Sequence, residues 1–280
     1  MDNVLFVNKP AGISSFDVCF RLRKVLNTKK IGHTGTLDPN ATGVMIVLFD
    51  KATKANQFLV SDKKEYVSCV QLGIRTDTLD IDGNILEEKG FILPKEEDLN
   101  KVLSSFLGTS MQEVPITSAV SVNGKRLYQY QRENKEVELP VRQIEVYQIE
   151  LLKLHEDGFS FRCVVSSGTY IRALARDILN KLGQIGTVSS LQRTAVDEIR
   201  IEDCDDLEKI ERGIYRTHGL KQLLEKRYEC IEYTEKKDIL NGKKIRLEGH
   251  HDRVLICDGD DALAVYEKES DLYRCVRGLW

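Results

Sequence analysis

Apolar and polar positions switch period several times along the chain, and each switch predicts an element. Val4-Leu5-Phe6-Val7 is a short apolar run and predicts a buried strand. Lys9-Pro10-Ala11-Gly12 is a turn, and Ser14-Ser15-Phe16-Asp17 follows as a helix start. Asp17 stands three residues after Ser14, a capping-box relation. Val18, Leu22, Val25 and Leu26 then recur at helical spacing. A second apolar run, 44–49, predicts another buried strand, and 65–73 alternates as strands do. Pro94 opens a helix with Leu99, Val102, Leu103 and Phe106 as its stripe and Gly108 just past its end. Asn123-Gly124 within 118–127 is a hairpin signal, and Asp157-Gly158 joins 141–154 to 159–165 in another. Ile171, Leu174, Ile178 and Leu182 form a last long helical stripe, closed by Gly183, with Arg172 and Arg176 expected on its polar side. Beyond about residue 213 the apolar segments shorten (230–233, 237–240, 244–247, 254–257, 262–266, 272–276). Short strands with Gly and Asp turns predict a small β-barrel there.

Composition narrows the class. A length of 280 residues suits one large domain, or one large and one small, and 41% hydrophobic content suffices for a core. No run approaches the roughly 18 apolar residues of a membrane span. The first residues read as a strand rather than a signal peptide. Seven cysteines are scattered with no C-x-x-C, so reduced thiols in a cytoplasmic protein are expected. A net charge of −3 argues against a non-specific nucleic-acid binder. The charge is uneven, however. Residues 1–35 carry six Lys/Arg against two acids, whereas 202–211 carry six acids against one Lys. Arg21, Arg23, Lys24, Lys29 and Lys30 are therefore either a solvated face or a phosphate-contacting one. Lys125, Arg126, Tyr128, Tyr130 and Arg132 leave the same choice at the Asn123-Gly124 hairpin. Asp77, Asp80 and Asp82 before Gly83 hint at a calcium loop, but its closing Glu position falls on Lys89, which excludes it. His250-His251 with Cys257 reads as a loop rather than a metal site. No metal set, P-loop, dinucleotide fingerprint or internal repeat is present in the sequence.

The run 32–45, GHTGTLDPNATGVM, crowds three glycines, three threonines and a proline around one carboxylate, Asp38. Glycine and proline disfavour a helix or strand interior, so this is a shaped loop that leads into the strand 44–49. In isolation Asp-Pro would be an ordinary turn or helix start. The whole run resembles the catalytic motif of the TruB family of tRNA pseudouridine synthases, GHTGxLDPxATGxL, and places that family's nucleophilic aspartate at Asp38. Further stretches resemble the family in order. Asn8-Lys9-Pro10 matches its D-K-P segment with Asn8 in place of Asp. Lys64-Glu65-Tyr66 matches K-x-Y, and 72–83 matches L-G-x-x-T-D-T-x-D-x-x-G. Gly168-Thr169-Tyr170-Ile171-Arg172 and 190–195 also match. The hairpin falls on the family's thumb loop, where Ser121 replaces a common Lys and 131–134 departs from A-R-x-G.

The resemblance implies an α+β fold: a mixed, mainly antiparallel sheet with flanking helices, and the active-site cleft across it. It implies a catalytic domain at 1–226, with a thumb hairpin at about 118–140, and a small PUA-like RNA-binding domain at 227–280. The implied reaction turns a flipped-out uridine into pseudouridine, at the T-loop position 55 of tRNA. Asp38 would act at C1′, at C6 or on the C2′ proton. Arg172 would keep Asp38 ionised. Tyr66 would stack on the uracil and is a candidate for the C5 proton. Lys9 would lie next to the site, His33 would fill the vacated stack, and Tyr170 and Leu191 would line the pocket. The expected partner is the T-arm stem-loop of tRNA; no cofactor, metal or membrane is expected, and the chain is expected to be a cytoplasmic monomer. Two other classes stay open: a tRNA-folding protein with secondary or lost catalysis, and a glycosidase, which usually needs a second carboxylate that the motif lacks.

Overall fold

The computed structural model describes every residue except Met1, Val60, Asn134 and His250, and the backbone alone of Asp2. The chain divides into two compact units, each of them discontinuous. The first holds Met1–Pro39, Val44–Val60 and Ile201–Trp280; the second holds Asn40–Gly43 and Ser61–Arg200.

In the first unit the strand Asp2–Lys9 lies beside the strand Thr42–Phe49, which is joined on its other flank by Ile31–His33 in antiparallel register. Short strands at Asp205–Asp206 and His218–Gly219 also pair with Asp2–Lys9, the former parallel and the latter antiparallel. The helix Ser15–Val25 starts at the predicted capping box. The Ser14 hydroxyl accepts from the Asp17 N–H, and the Asp17 carboxylate accepts from the Ser14 N–H. Its buried face, Val18, Cys19 and Leu22, packs on Leu5, Val7, Met45, Val47 and Phe49. Continuous apolar runs are what strands covered by a helix require, and both runs 4–7 and 44–49 are of this kind.

The same unit contains the C-terminal segment. Four strands, Glu229–Glu232, Arg253–Asp258, Asp261–Glu269 and Leu272–Gly278, form a sheet in that order, with the first pair parallel. Among the described residues this is a four-stranded sheet where short-strand texture predicts a barrel. The short apolar segment 237–240 belongs to a helical turn, Lys236–Leu240, which buries Ile239; 238–243 resembles the helix-then-turn entry of a PUA-type module, and a helix is what forms there. Tyr266 and Tyr273 are buried beside Val254, Ile256 and Leu263, and each hydroxyl donates to a backbone carbonyl, of Lys243 and His251 respectively.

The second unit is built on a sheet of antiparallel strands. Gly186–Val196, Lys63–Leu72, Gly158–Ser166, Val141–His155 and Gly108–Glu113 are neighbours in that order. Glu65 ties three of them: its carboxylate accepts from Arg162 on one neighbour and from Thr194 Oγ1, at 2.8 Å, on the other. The helix Ile171–Lys181 buries Ile171, Leu174 and Ile178 as patterned, and Glu96–Ser104 buries Leu99 and Leu103. Mainly antiparallel strands with flanking helices are the α+β architecture that the motifs imply. Thr42 and Gly43, which belong to this unit, pair parallel with Gln192 and Arg193. A Cβ on Gly43 would meet the Arg193 carbonyl oxygen at 2.1 Å, and its φ is +104°. The motif glycine there is therefore required by close backbone approach and by its dihedral.

Candidate active site

The loop bearing Asp38 is held by backbone bonds on both sides of it. The Ser15 hydroxyl accepts from the Leu37 N–H at 2.9 Å and donates to the Leu37 carbonyl at 3.0 Å. On the other side the Pro39 carbonyl accepts from Lys9 Nζ at 2.8 Å and from the Gly12 N–H at 3.0 Å. Lys9 is fully buried, and its ammonium also donates to the Pro10 carbonyl at 2.9 Å. A buried ammonium needs acceptors, and the Pro39 and Pro10 carbonyls supply them. Leu37 is itself buried, so Asp38 stands half-buried between two fixed neighbours. His33 ends the strand Ile31–His33 opposite Val47, and the next residue, Thr34, donates its N–H to Ile46. All of these groups lie in the first unit.

Tyr66, Tyr170, Arg172 and Leu191 lie in the second. Tyr66 pairs across the sheet with Arg193, and Ser68 with Leu191. Cross-strand partners share a face, so Tyr66 and Leu191 are diagonal neighbours on one face. Tyr66 is buried and Leu191 half-buried. Lys64, two residues before Tyr66, is half-buried and donates to Ser167 Oγ at 3.3 Å. Burial, and secondarily the Arg193 charge, push Lys64 down to about 8, against a smaller upward pull from Asp197.

Arg172 is only 5% exposed, which corrects its expected place on a polar helix face. The first turn of its helix is covered on all sides, with Ile171, Ala173, Leu174 and Ala175 buried as well. Its guanidinium donates to the Thr78 carbonyl at 2.7 Å, to Thr117 Oγ1 at 2.7 Å and to the Thr117 carbonyl at 3.0 Å, and Asp80 stands 3.5 Å away. The Asp-rich loop that resembles a calcium site supplies two of those partners. Asp77 and Asp80 bond within the loop, and Asp82 bonds outside it. Asp80 accepts from Thr78 Oγ1 at 2.6 Å, Asp77 accepts from the Asn84 N–H at 2.9 Å, and Asp82 accepts from Asn40. A Cβ on Gly83 would meet Thr78 Oγ1 at 2.3 Å, so the last motif glycine is a matter of space. His251 Nδ1 lies 3.4 Å from Glu229, while His250 is outside the described residues.

Residues 23–171 match the model of the TruB family pseudouridylate synthases, N-terminal domain. A tRNA pseudouridine synthase B of Lactobacillus acidophilus is 35% identical over 98% of this chain and 97% of its own length. One from Oceanobacillus iheyensis is 39% identical over 95% and 93%, and one from Bacillus cereus 44% identical over 76% and 72%. The chain belongs to the TruB family of pseudouridine synthases. The solved structure of an H/ACA RNP bound to a substrate RNA containing 2′-deoxyuridine includes a chain with the same fold. It aligns at a TM-score of 0.71 over 99% of this chain and 85% of that one, at 22% identity. A Cbf5-Nop10-Gar1 complex aligns at 0.70 over the same shares, at 24% identity.

Within this TruB-family chain, several residues around the site carry no signal of their own in the sequence. Ser15 is legible only as part of a helix start, and Gln112 and Thr117 not at all. Arg193 lies in a matched segment, yet its near-complete burial beside Tyr66 follows only from the sheet register. A hairpin forms where Asn123-Gly124 predicts it, with φ values of +50° and +78°. Its cations have local partners. Lys125 sits 2.5 Å from Glu133 and 4.9 Å from the Tyr130 ring centroid, and Arg132 lies over Tyr128 at 5.3 Å.

Proposed function

We propose that this chain isomerises a uridine of tRNA to pseudouridine, at the T-loop position 55, with Asp38 as the reacting carboxylate. The reaction breaks N1–C1′, forms C5–C1′ and exchanges the C5 proton for one on N1. It is a rearrangement within one nucleotide, so neither an electron acceptor nor a second substrate is needed. The observation that carries the reading is the fixing of the Asp38 loop. Ser15 holds Leu37 at both its backbone groups, and Lys9 and Gly12 hold Pro39, so one carboxylate is presented from a braced loop. The tRNA substrate is carried over from the names of relatives that match nearly the whole chain.

The roles are assigned residue by residue from the motifs. Arg172 keeps Asp38 ionised, because an adjacent cation lowers a carboxylate pKa while burial raises it. Tyr66 stacks on the flipped uracil and its hydroxyl serves the C5 proton. Tyr170 and Leu191 line the pocket, His33 props the vacated stack, and Lys9 holds the loop beside the site. Residues 1–226 make up the catalytic domain, 118–140 its thumb, and 227–280 the small PUA-like RNA-binding domain. We place the enzyme in the cytoplasm, as a monomer working without metal or cofactor.

The test is Asp38→Asn with a T-arm hairpin. The amide keeps shape and hydrogen bonding but not charge. Pseudouridine formation should vanish, measured as release of tritium from C5, while hairpin affinity stays within a few-fold of wild type. Product at a near-wild-type rate would overturn the assignment of Asp38. Hairpin binding by the unaltered chain with no tritium release would favour an RNA-folding role.

A further inference from the structure

The strand Gly108–Glu113 has an inverted pattern. Its Met111 is 64% exposed, while its one buried residue is polar: Gln112, at 3%. A buried carboxamide is costly unless its polar atoms are bonded. Gln112 spends its on a single residue. Its Oε1 accepts from the Tyr170 N–H at 2.8 Å, and its Nε2 donates to the Tyr170 carbonyl at 3.1 Å. Tyr170 is the N-cap of the helix Ile171–Lys181, and its carbonyl also accepts that helix's first bond, from Leu174 at 3.0 Å. The Tyr170 side chain itself does not cap this helix start. The Gln112 carboxamide therefore fixes the peptide groups on both sides of Tyr170.

The same short segment continues to Thr117, which accepts twice from the Arg172 guanidinium. Between them, Glu113 accepts from Arg176 at 3.0 Å. Three residues within 112–117 thus hold three within 170–176, all of them in the second unit. The strand that bears Gln112 is anchored in turn by its register with the long strand Val141–His155, Gln112 lying opposite Arg142.

We propose that Gln112 is a positioning residue for the isomerisation, setting through the Tyr170 backbone the aim of the Tyr170 ring toward the uridine. This rests on the function proposed above. The geometry distinguishes it from a packing role, because an apolar side chain of the same volume would fill the site equally well. A misplacement of about 1 Å at a reacting group costs on the order of 10²-fold in rate. Nothing in the arrangement calls for Gln112 to touch RNA.

The test uses the full-length chain and a T-arm hairpin under single-turnover conditions. Gln112→Met keeps the volume and removes both bonds; Gln112→Glu keeps the acceptor and loses the donor. Each should turn over about 10- to 100-fold more slowly at saturating enzyme, with hairpin affinity within about three-fold of wild type. The discriminating readout is a double-mutant cycle. If Gln112 acts through what Tyr170 presents, its effect on rate should shrink to a few-fold in a Tyr170→Ala background and persist in full in a Leu191→Ala background. A wild-type rate in both Gln112 variants would overturn the proposal. So would effects that simply multiply with Tyr170→Ala, or a loss of rate accounted for by the unfolded fraction in thermal melts. If instead the unaltered chain forms no pseudouridine in the hairpin, the underlying reading fails rather than this one.

Discussion

Ser15 contributes one hydroxyl to the chain, and it serves both backbone groups of buried Leu37. Ser15→Ala would leave a buried N–H unsatisfied, a cost of about 1–3 kcal/mol. We expect Ser15→Ala to lower the thermal midpoint and to slow single-turnover isomerisation by more than the lost folded fraction explains. A full rate in the folded fraction would show that Asp38 needs no such brace. Lys64 gives a pH signature. Its folded pKa is near 8, against an ordinary lysine value of about 10.4 in the unfolded chain. Between those values the unfolded chain binds a proton that the folded chain does not, so this site's contribution to stability rises with pH across that window. Below pH 8 the desolvated charge is a standing penalty. Lys64→Met should therefore gain most over wild type, or lose least, below pH 8, and the difference should move toward wild type as pH rises to 10. Urea midpoints of the two proteins at pH 7, 8, 9 and 10 check the sign. At this scale candidates are legible where a motif carries them: Asp38, Tyr66 and Arg172 can be proposed from the sequence. Their supports cannot. Gln112 bonds a residue 58 positions away and Thr117 one 55 away, and no local pattern encodes such separations.

The helix Ser15–Val25 shows how much an element's pattern conveys and where it stops. Its capping box and buried stripe stand where period and chemistry put them. The cations on it and just after it do not act as one set. Arg21 makes two bonds to Glu211, at 2.6 and 2.7 Å, and Glu211 comes from the acidic segment 202–211. Arg23 lies 5.8 and 5.7 Å from the rings of Phe16 and Phe20, both well exposed. Lys24, Lys29 and Lys30 are exposed and open to phosphate. Removing one lysine–phosphate pairing should flatten the plot of log affinity against log salt by roughly 0.7 to 0.9. We expect Lys24→Gln, Lys29→Gln and Lys30→Gln to flatten it in hairpin titrations between low and moderate salt, and Arg21→Gln to leave it nearly unchanged. An Arg21 effect as large as that of the lysines would mean that RNA displaces Glu211. The sequence shows the basic residues but not their partners, because an ion pair across 190 positions leaves no trace in composition.

At the scale of the molecule, the change of texture near residue 213 is readable, and the partition that it suggests differs from the compact units. The C-terminal sheet shares the first unit with the N-terminal strands. The segment Asp50–Phe58, which follows the N-terminal strands, meets the C-terminal part: Lys54 donates to the Trp280 carbonyl, and the Phe58 and Tyr228 rings meet edge-on at 6.2 Å. A small cavity of about 60 Å³ is lined by Asn3, Ala52, Leu220, Leu263 and Trp280, residues from both ends of the chain. Such joins are invisible to local patterning, which reports strands but not what they dock against. The sheet has a buried cluster of its own around Tyr266 and Tyr273, but a segment of about fifty residues is marginal as a separate body, so part of its stability should be borrowed from the unit. The chain's one tryptophan, Trp280, sits at the join and reports on it. In a urea titration the Trp280 fluorescence change should coincide with loss of hydrogen-exchange protection in the strand Asp2–Lys9, as one cooperative transition. Lys54→Met removes a charge-assisted bond worth about 1.5–3 kcal/mol and should draw the fluorescence transition to lower urea, ahead of the strand. If the unaltered chain already shows Trp280 changing first while Val4, Leu5 and Val7 remain protected, the C-terminal sheet folds as a separate body, and the boundary at 226/227 is then thermodynamic as well as textural.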